Sequence, residues 1–133
     1  MDSRYAVVDA SAGVKWFSPE PGHEDALDLL RRAARGDVVL VVPDLFIYEV
    51  LRTVRRKAGA EMARGAVVFF SDAGLVAVPP SAGLLEATLG YADETGCDVY
   101  DACSAALATM LDAPLYSADR RAHGRHPSVV LIG

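Results

Sequence analysis

Residues 38–59 read VVLVVPDLFIYEVLRTVRRKAG. The first five are apolar without interruption, the pattern of a strand buried on both faces, where alternation with polar residues is not required. From Asp44 the period changes to that of a helix. Ile47, Val50, Leu51, Val54 and Ala58 recur at three- and four-residue intervals and form one apolar stripe, while Glu49, Arg52 and Arg56 project from the other side. Gly59 stands where a residue of positive φ commonly ends a helix. The same alternation continues on both sides of this segment. Apolar runs occur at Tyr5–Val8, Leu75–Val78, Leu115–Ser117 and Val129–Ile132, and helical spacing at Gly22–Arg35, Glu61–Asp72, Ser81–Thr95 and Asp98–Leu111. Gly36, Gly74 and Gly96 follow three of those helices. Buried strands alternating with helices predict an α/β fold built on a parallel sheet of five strands.

With 133 residues, 52% of them hydrophobic, the chain suits one domain spanning 1–133 with a sizeable core. It has neither a secretory leader pattern nor an apolar run approaching the roughly 18 residues of a membrane span, so the expectation is a soluble cytoplasmic protein without membrane attachment. Cys97 and Cys103 have no zinc-knuckle spacing and are expected to be reduced and structural. The net charge of −5 excludes a global basic footprint. A polyanion must therefore meet a local patch. Of the 13 basic residues only Lys15 and Lys57 are lysines.

Four carboxylates, Asp9, Glu49, Asp101 and Asp119, fall where an apolar run ends or a helix lies. If the runs are strands of one parallel sheet, their carboxyl ends share an edge, which is where open α/β folds build ligand sites. Each acid also has a plainer reading. Asp98 can cap the helix that follows, leaving Asp101 at its third position, where a carboxylate favours the helix dipole. In that helix Val99, Ala102, Cys103, Ala106, Leu107, Met110 and Leu111 form the stripe expected to face the core. Glu49 can pair with Arg52 on a solvated face, an interaction of about 0.2–0.5 kcal/mol. Alternatively the acids line one cleft. Carboxylates forced together repel one another, and a hard divalent cation, Mg²⁺ or Mn²⁺, resolves the conflict. The reaction class is then metal-dependent phosphodiester hydrolysis.

Other α/β chemistries fit less well. A dehalogenase-type phosphatase needs a second Asp where Ser11 stands, a receiver domain needs a late Lys, and an integrin-like metal site needs Ser where Gly13 stands. No glycine-rich phosphate cradle followed by Lys-Ser or Lys-Thr is present. His23, His123 and His126 lack the partners of a zinc site and are expected at the surface.

VVDASAGVKW (residues 7–16), PDLFIYEVLRTVRRKAG (43–59), DVYDACSAALA (98–108) and LYSADRR (115–121) together resemble the signature blocks of PIN-domain ribonucleases, above all the VapC-type toxins of toxin–antitoxin pairs. The resemblance covers nearly the whole chain. It implies a PIN-like three-layer fold whose sheet runs 3-2-1-4-5 between helices, with Asp9 and Asp119 ending the two strands at the switch point. It further implies that Asp9, Glu49, Asp101 and Asp119 are catalytic and hold one or two Mg²⁺ or Mn²⁺ ions, with Ser11, Ser117 and Asp98 supporting them. Many relatives carry Asn where Arg52 stands. Arg52 and Arg56, with Arg120, Arg121 and Arg125 directly after Asp119, are the candidate RNA contacts. The resemblance implies an RNA substrate, a homodimer and a small antitoxin partner. A catalytically silent PIN-like module that binds RNA or protein is the alternative. Trp16, Phe17, Phe46, Phe69 and Phe70 are read as core.

Overall fold

The computed structural model describes residues 4–133; residues 1–3 of the expected 1–133 unit lie outside the described residues. Five parallel strands, β1 (Tyr5–Val8), β2 (Val39–Pro43), β3 (Val76–Val78), β4 (Leu115–Ser117) and β5 (Val129–Leu131), form one sheet in the order β3-β2-β1-β4-β5. The predicted runs are thus strands to within a residue or two. The order reverses between β1 and β4, paired at Val7 with Leu115 and Val8 with Tyr116.

Among the described residues seven α-helices cover the sheet: α1 (Ala10–Gly13), α2 (His23–Ala34), α3 (Asp44–Ala58), α4 (Ala60–Asp72), α5 (Ala82–Thr95), α6 (Val99–Leu111) and α7 (Arg120–His123). The continuous hydrophobicity of the strands has a simple cause. Ala6, Val8, Leu40 and Val42 point into one core with Trp16, Phe46 and Phe70, whereas Val7, Val41 and Leu115 point into a second core with Leu84 and Leu107. Successive strand residues face opposite ways, so a sheet covered on both sides needs apolar residues at every position.

The five expected core aromatics do pack together: Trp16, Phe17, Phe46, Phe69 and Phe70 make a chain of edge-on and tilted contacts 5.0–6.4 Å between ring centres. α1 is pressed against this cluster. A Cβ added at Gly13 would lie 2.5 Å from Cζ of Phe46, a buried ring held on several sides. Gly13→Ala is therefore expected to destabilise the protein by about 1–3 kcal/mol in urea denaturation, the usual range for overpacking. Unchanged stability would mean that α1 does not depend on this close approach.

α6 departs from its predicted stripe. Val99 and Met110 are 48% and 52% exposed, while Ser104, Ala105 and Ala108 are buried. Alanines at 102, 105, 106 and 108 let the helix approach both α5 and β1, so the buried arc is centred on small residues and Val99 and Met110 fall outside it. Short α1, the 3₁₀ turn Val14–Trp16 and α7 were not expected from periodicity, since segments of three or four residues carry too few positions to show one.

Candidate active site

The acidic site forms where the strand order reverses. The backbone N–H of Asp9 donates to Tyr116 O at 2.9 Å, joining the end of β1 to β4. Asp9 then caps α1, and both its carboxylate oxygens are engaged: Oδ2 accepts from Ser11 N at 3.2 Å and Ser11 Oγ at 2.5 Å, and Oδ1 from Ser104 Oγ at 2.7 Å. Asp119 caps α7 by accepting from Ala122 N at 3.0 Å. Asp98 caps α6 by accepting from Tyr100 N at 2.8 Å, which puts Asp101 in its first turn. Glu49 comes from the second turn of α3. The pair with Arg52 that was its plainer reading does not form, and among the described residues no basic side chain is in ion-pair reach of it.

Asp9, Glu49, Asp101 and Asp119 all line one cavity of about 370 Å³. Their crowding has an electrostatic signature. Burial, followed by the charges of Asp9, Asp101 and Asp98, pushes the Glu49 carboxyl up to about 7. Burial, then Asp119 and Asp9, raises Asp101 as well, with His123 pulling the other way. A carboxyl raised from 4.5 to about 7 gives stability that is complete below pH 4.5 and lost as pH rises through 7. Because Glu49 is only partly buried, the effect is roughly 1–2 kcal/mol after solvent screening. In EDTA, Glu49→Gln should therefore melt higher than wild type at pH 8, with the difference shrinking toward pH 4.5. Parallel melting curves across that range would mean that Glu49 does not feel the other acids.

Thr53 and Lys57 continue the Glu49 face into the cavity, while Arg52 and Arg56 are exposed and do not line it. Lys57 Nζ lies 3.4 Å from Glu20, which also accepts from Lys15 Nζ at 3.1 Å; the two lysines of the chain thus converge on one carboxylate at the cavity's edge. A second cavity of about 630 Å³ shares Asp101 and Asp119 and adds Asp98, Arg121 and Arg125. Arg120 is exposed and lines neither.

The expectation of surface histidines is corrected for two of the three. His123 is 0% and His126 5% exposed. The His123 ring lies between Ser117 Oγ, 2.9 Å from Nδ1, and the Asp101 backbone oxygen, 2.7 Å from Nε2. His126 Nε2 is 2.9 Å from Thr109 Oγ1, and its Nδ1 accepts from Ser128 N at 3.1 Å. Ser117 is fully buried and accepts from Asp119 N at 3.0 Å, while Ser11 Oγ accepts from Ala118 N at 3.0 Å. Sequence reasoning missed Ser104 and His123, which contact the acids, and Lys15, Glu20, Thr53 and Lys57, which line the cavity with them. Ser104 had a readable signal, being a hydroxyl amid alanines on a helix with an acid three positions earlier. His123 had none beyond its position four residues after Asp119.

A parallel sheet in this order, with carboxylates gathered at its switch point, defines a PIN-like fold. A family model of the PIN domain matches residues 6–125, and the chain belongs to the PIN-domain family. No curated protein sequence matches it. Among solved structures it is similar to VapC20 of Mycobacterium tuberculosis, described as a sarcin–ricin-loop-cleaving toxin, with a TM-score of 0.71 and 18% identity over 90% of this chain and 93% of that one. VapBC2 from Rickettsia felis, bound to a DNA fragment from its promoter, gives 0.72 at 16% identity over 96% of each chain. A toxin–antitoxin complex from Klebsiella pneumoniae gives 0.70 at 16% identity, covering 94% of this chain and 95% of that one. At these identities the likeness is one of fold.

Proposed function

We propose that the chain, acting as a single unit over residues 1–133, is an endoribonuclease that hydrolyses RNA phosphodiester bonds with Mg²⁺ or Mn²⁺, as the toxin of a toxin–antitoxin pair. The observation that carries this reading is the convergence of Asp9, Glu49, Asp101 and Asp119 on one cavity, with Glu49 raised by burial and then by its acidic neighbours. These four would hold the cation. Among the described residues no three acidic, histidine or cysteine side chains already close round one point as a cage. Mg²⁺ and Mn²⁺ take oxygen ligands and keep several waters, so the four carboxylates would share one or two such ions with substrate phosphate oxygens. A cation so placed lowers the pKa of a bound water and shields the phosphodiester.

The chain's own groups supply orientation. Ser11 and Ser104 hold both oxygens of Asp9, and the caps at Asp98 and Asp119 fix the first turns of α6 and α7. Arg121 and Arg125, which line the larger cavity with Asp119, would contact phosphates next to the scissile one. Arg52, Arg56 and Arg120 serve as outer contacts along the same RNA. Arg121→Ala with Arg125→Ala should weaken RNA binding and reduce the slope of log K against log salt by about 2, leaving Mn²⁺ affinity intact. A wild-type salt slope in that variant would move the RNA path elsewhere, toward Arg52 and Arg56.

The partners belong to the same reading. A small antitoxin whose tail covers the groove, a homodimer and a structured RNA such as a transfer or ribosomal RNA loop match the toxin role. Incubating the purified protein, freed of any copurifying antitoxin, with total RNA in Mn²⁺ or in EDTA tests the activity. Discrete fragments formed only with the metal are expected. Binding without any cleavage across broad RNA pools would instead identify a silent PIN-like module.

A further inference from the structure

His123 is fully buried against three of the four acidic residues, yet it is not itself an acid and does not line the cavity they form. In the neutral ring its contacts fix the tautomer. A carbonyl oxygen only accepts, so Nε2, 2.7 Å from Asp101 O, carries the ring proton. The Ser117 hydroxyl, 2.9 Å away, then gives its hydrogen to Nδ1 and keeps its oxygen free to accept from Asp119 N at 3.0 Å. Nδ1 also lies 3.9 Å from Asp9 Oδ2. One rigid ring therefore spans the first turn of α6, which carries Asp101, and the end of β4, which leads to Asp119, with its edge against Asp9.

We propose that His123 is a positioning residue: its two ring nitrogens set the separation of Asp101 from Asp119 and Asp9. This inference rests on the nuclease reading above. An apolar side chain of similar size fills the space but ties neither the Asp101 carbonyl nor the Ser117 hydroxyl, and each acid is then free to move. Misplacement of reacting groups by about 1 Å costs up to about a hundredfold in rate, and loss of outer partners of metal ligands commonly costs about tenfold or more in metal affinity.

Three variants and two readouts test this. In His123→Leu, kcat for RNA cleavage should fall by at least about tenfold with KM little changed, and the Kd for Mn²⁺ by calorimetry should weaken by about tenfold. His123→Gln, whose amide nitrogen and oxygen can replace the two ring nitrogens, should recover most of both losses. His123→Asn still reaches Ser117 but falls short of the Asp101 carbonyl, and should lose kcat. It decides the matter if the leucine variant fails to fold. Wild-type kcat and Mn²⁺ Kd in His123→Leu or His123→Asn, or equal losses in the glutamine and leucine variants, would overturn the inference and leave the nuclease reading standing. If wild type binds Mn²⁺ without cutting, the Mn²⁺ Kd alone decides by the same comparisons. A wild type that neither binds Mn²⁺ nor cuts RNA would sink both.

Discussion

Asp119→Asn should leave the protein folded and reduce RNA cleavage by about a thousandfold, equivalent to about 4 kcal/mol of transition-state stabilisation. The substitution separates the two jobs of this residue. An asparagine oxygen can still accept from Ala122 N, so the cap on α7 survives, and in EDTA the melting temperature should stay the same or rise, since Asp119 is the leading charge raising Asp101. What disappears is a full negative charge at the edge shared by both cavities. Single-turnover cleavage of an RNA pool in Mn²⁺ measures the loss directly. A rate within tenfold of wild type would show that Asp119 is a helix cap and nothing more.

The second large effect concerns the metal's influence on stability. A cation that binds only the folded protein stabilises it by about 2.7 kcal/mol at a hundred times its Kd, which for a chain of this length raises Tm by roughly 8–12 °C. Asp9→Asn should lose most of that gain. It should also melt higher than wild type in EDTA, because the Asp9 charge does more than any other to raise Glu49 and contributes to raising Asp101. The opposite signs with and without metal distinguish a shared acidic site from ordinary damage, which would lower Tm in both conditions. Equal Mn²⁺ shifts in wild type and variant would dissolve the site.

Much of this arrangement is legible in the chain because the sheet is covered on both faces. Runs such as Val39–Val42 then need no polar residue, and the change to helical spacing at Asp44 marks the turn into α3. The convergence of Asp9 and Asp119 follows from strand ends sharing an edge. The strand order itself came from the resemblance to PIN domains, since periodicity does not say which strands are neighbours. Burial of polar residues was least legible. His123 lies under the site because Asp101 and Ser117 meet it there, one of them 22 positions away in sequence, and Ser104 is held by Asp9, 95 positions away. On α3, helical geometry places both Arg52 and Thr53 near Glu49. That the cavity opens on the Thr53 and Lys57 side depends on where Lys15 and Glu20 stand, which no pattern within α3 encodes.

The most direct measurement is an anomalous difference map from crystals soaked in Mn²⁺, collected at the manganese absorption edge. The expected result is one or two peaks in the cavity between Asp9, Glu49, Asp101 and Asp119, absent from crystals of Asp119→Asn or much weaker there. Peaks confined to surface carboxylates, with none among these four side chains at saturating Mn²⁺, would contradict the account.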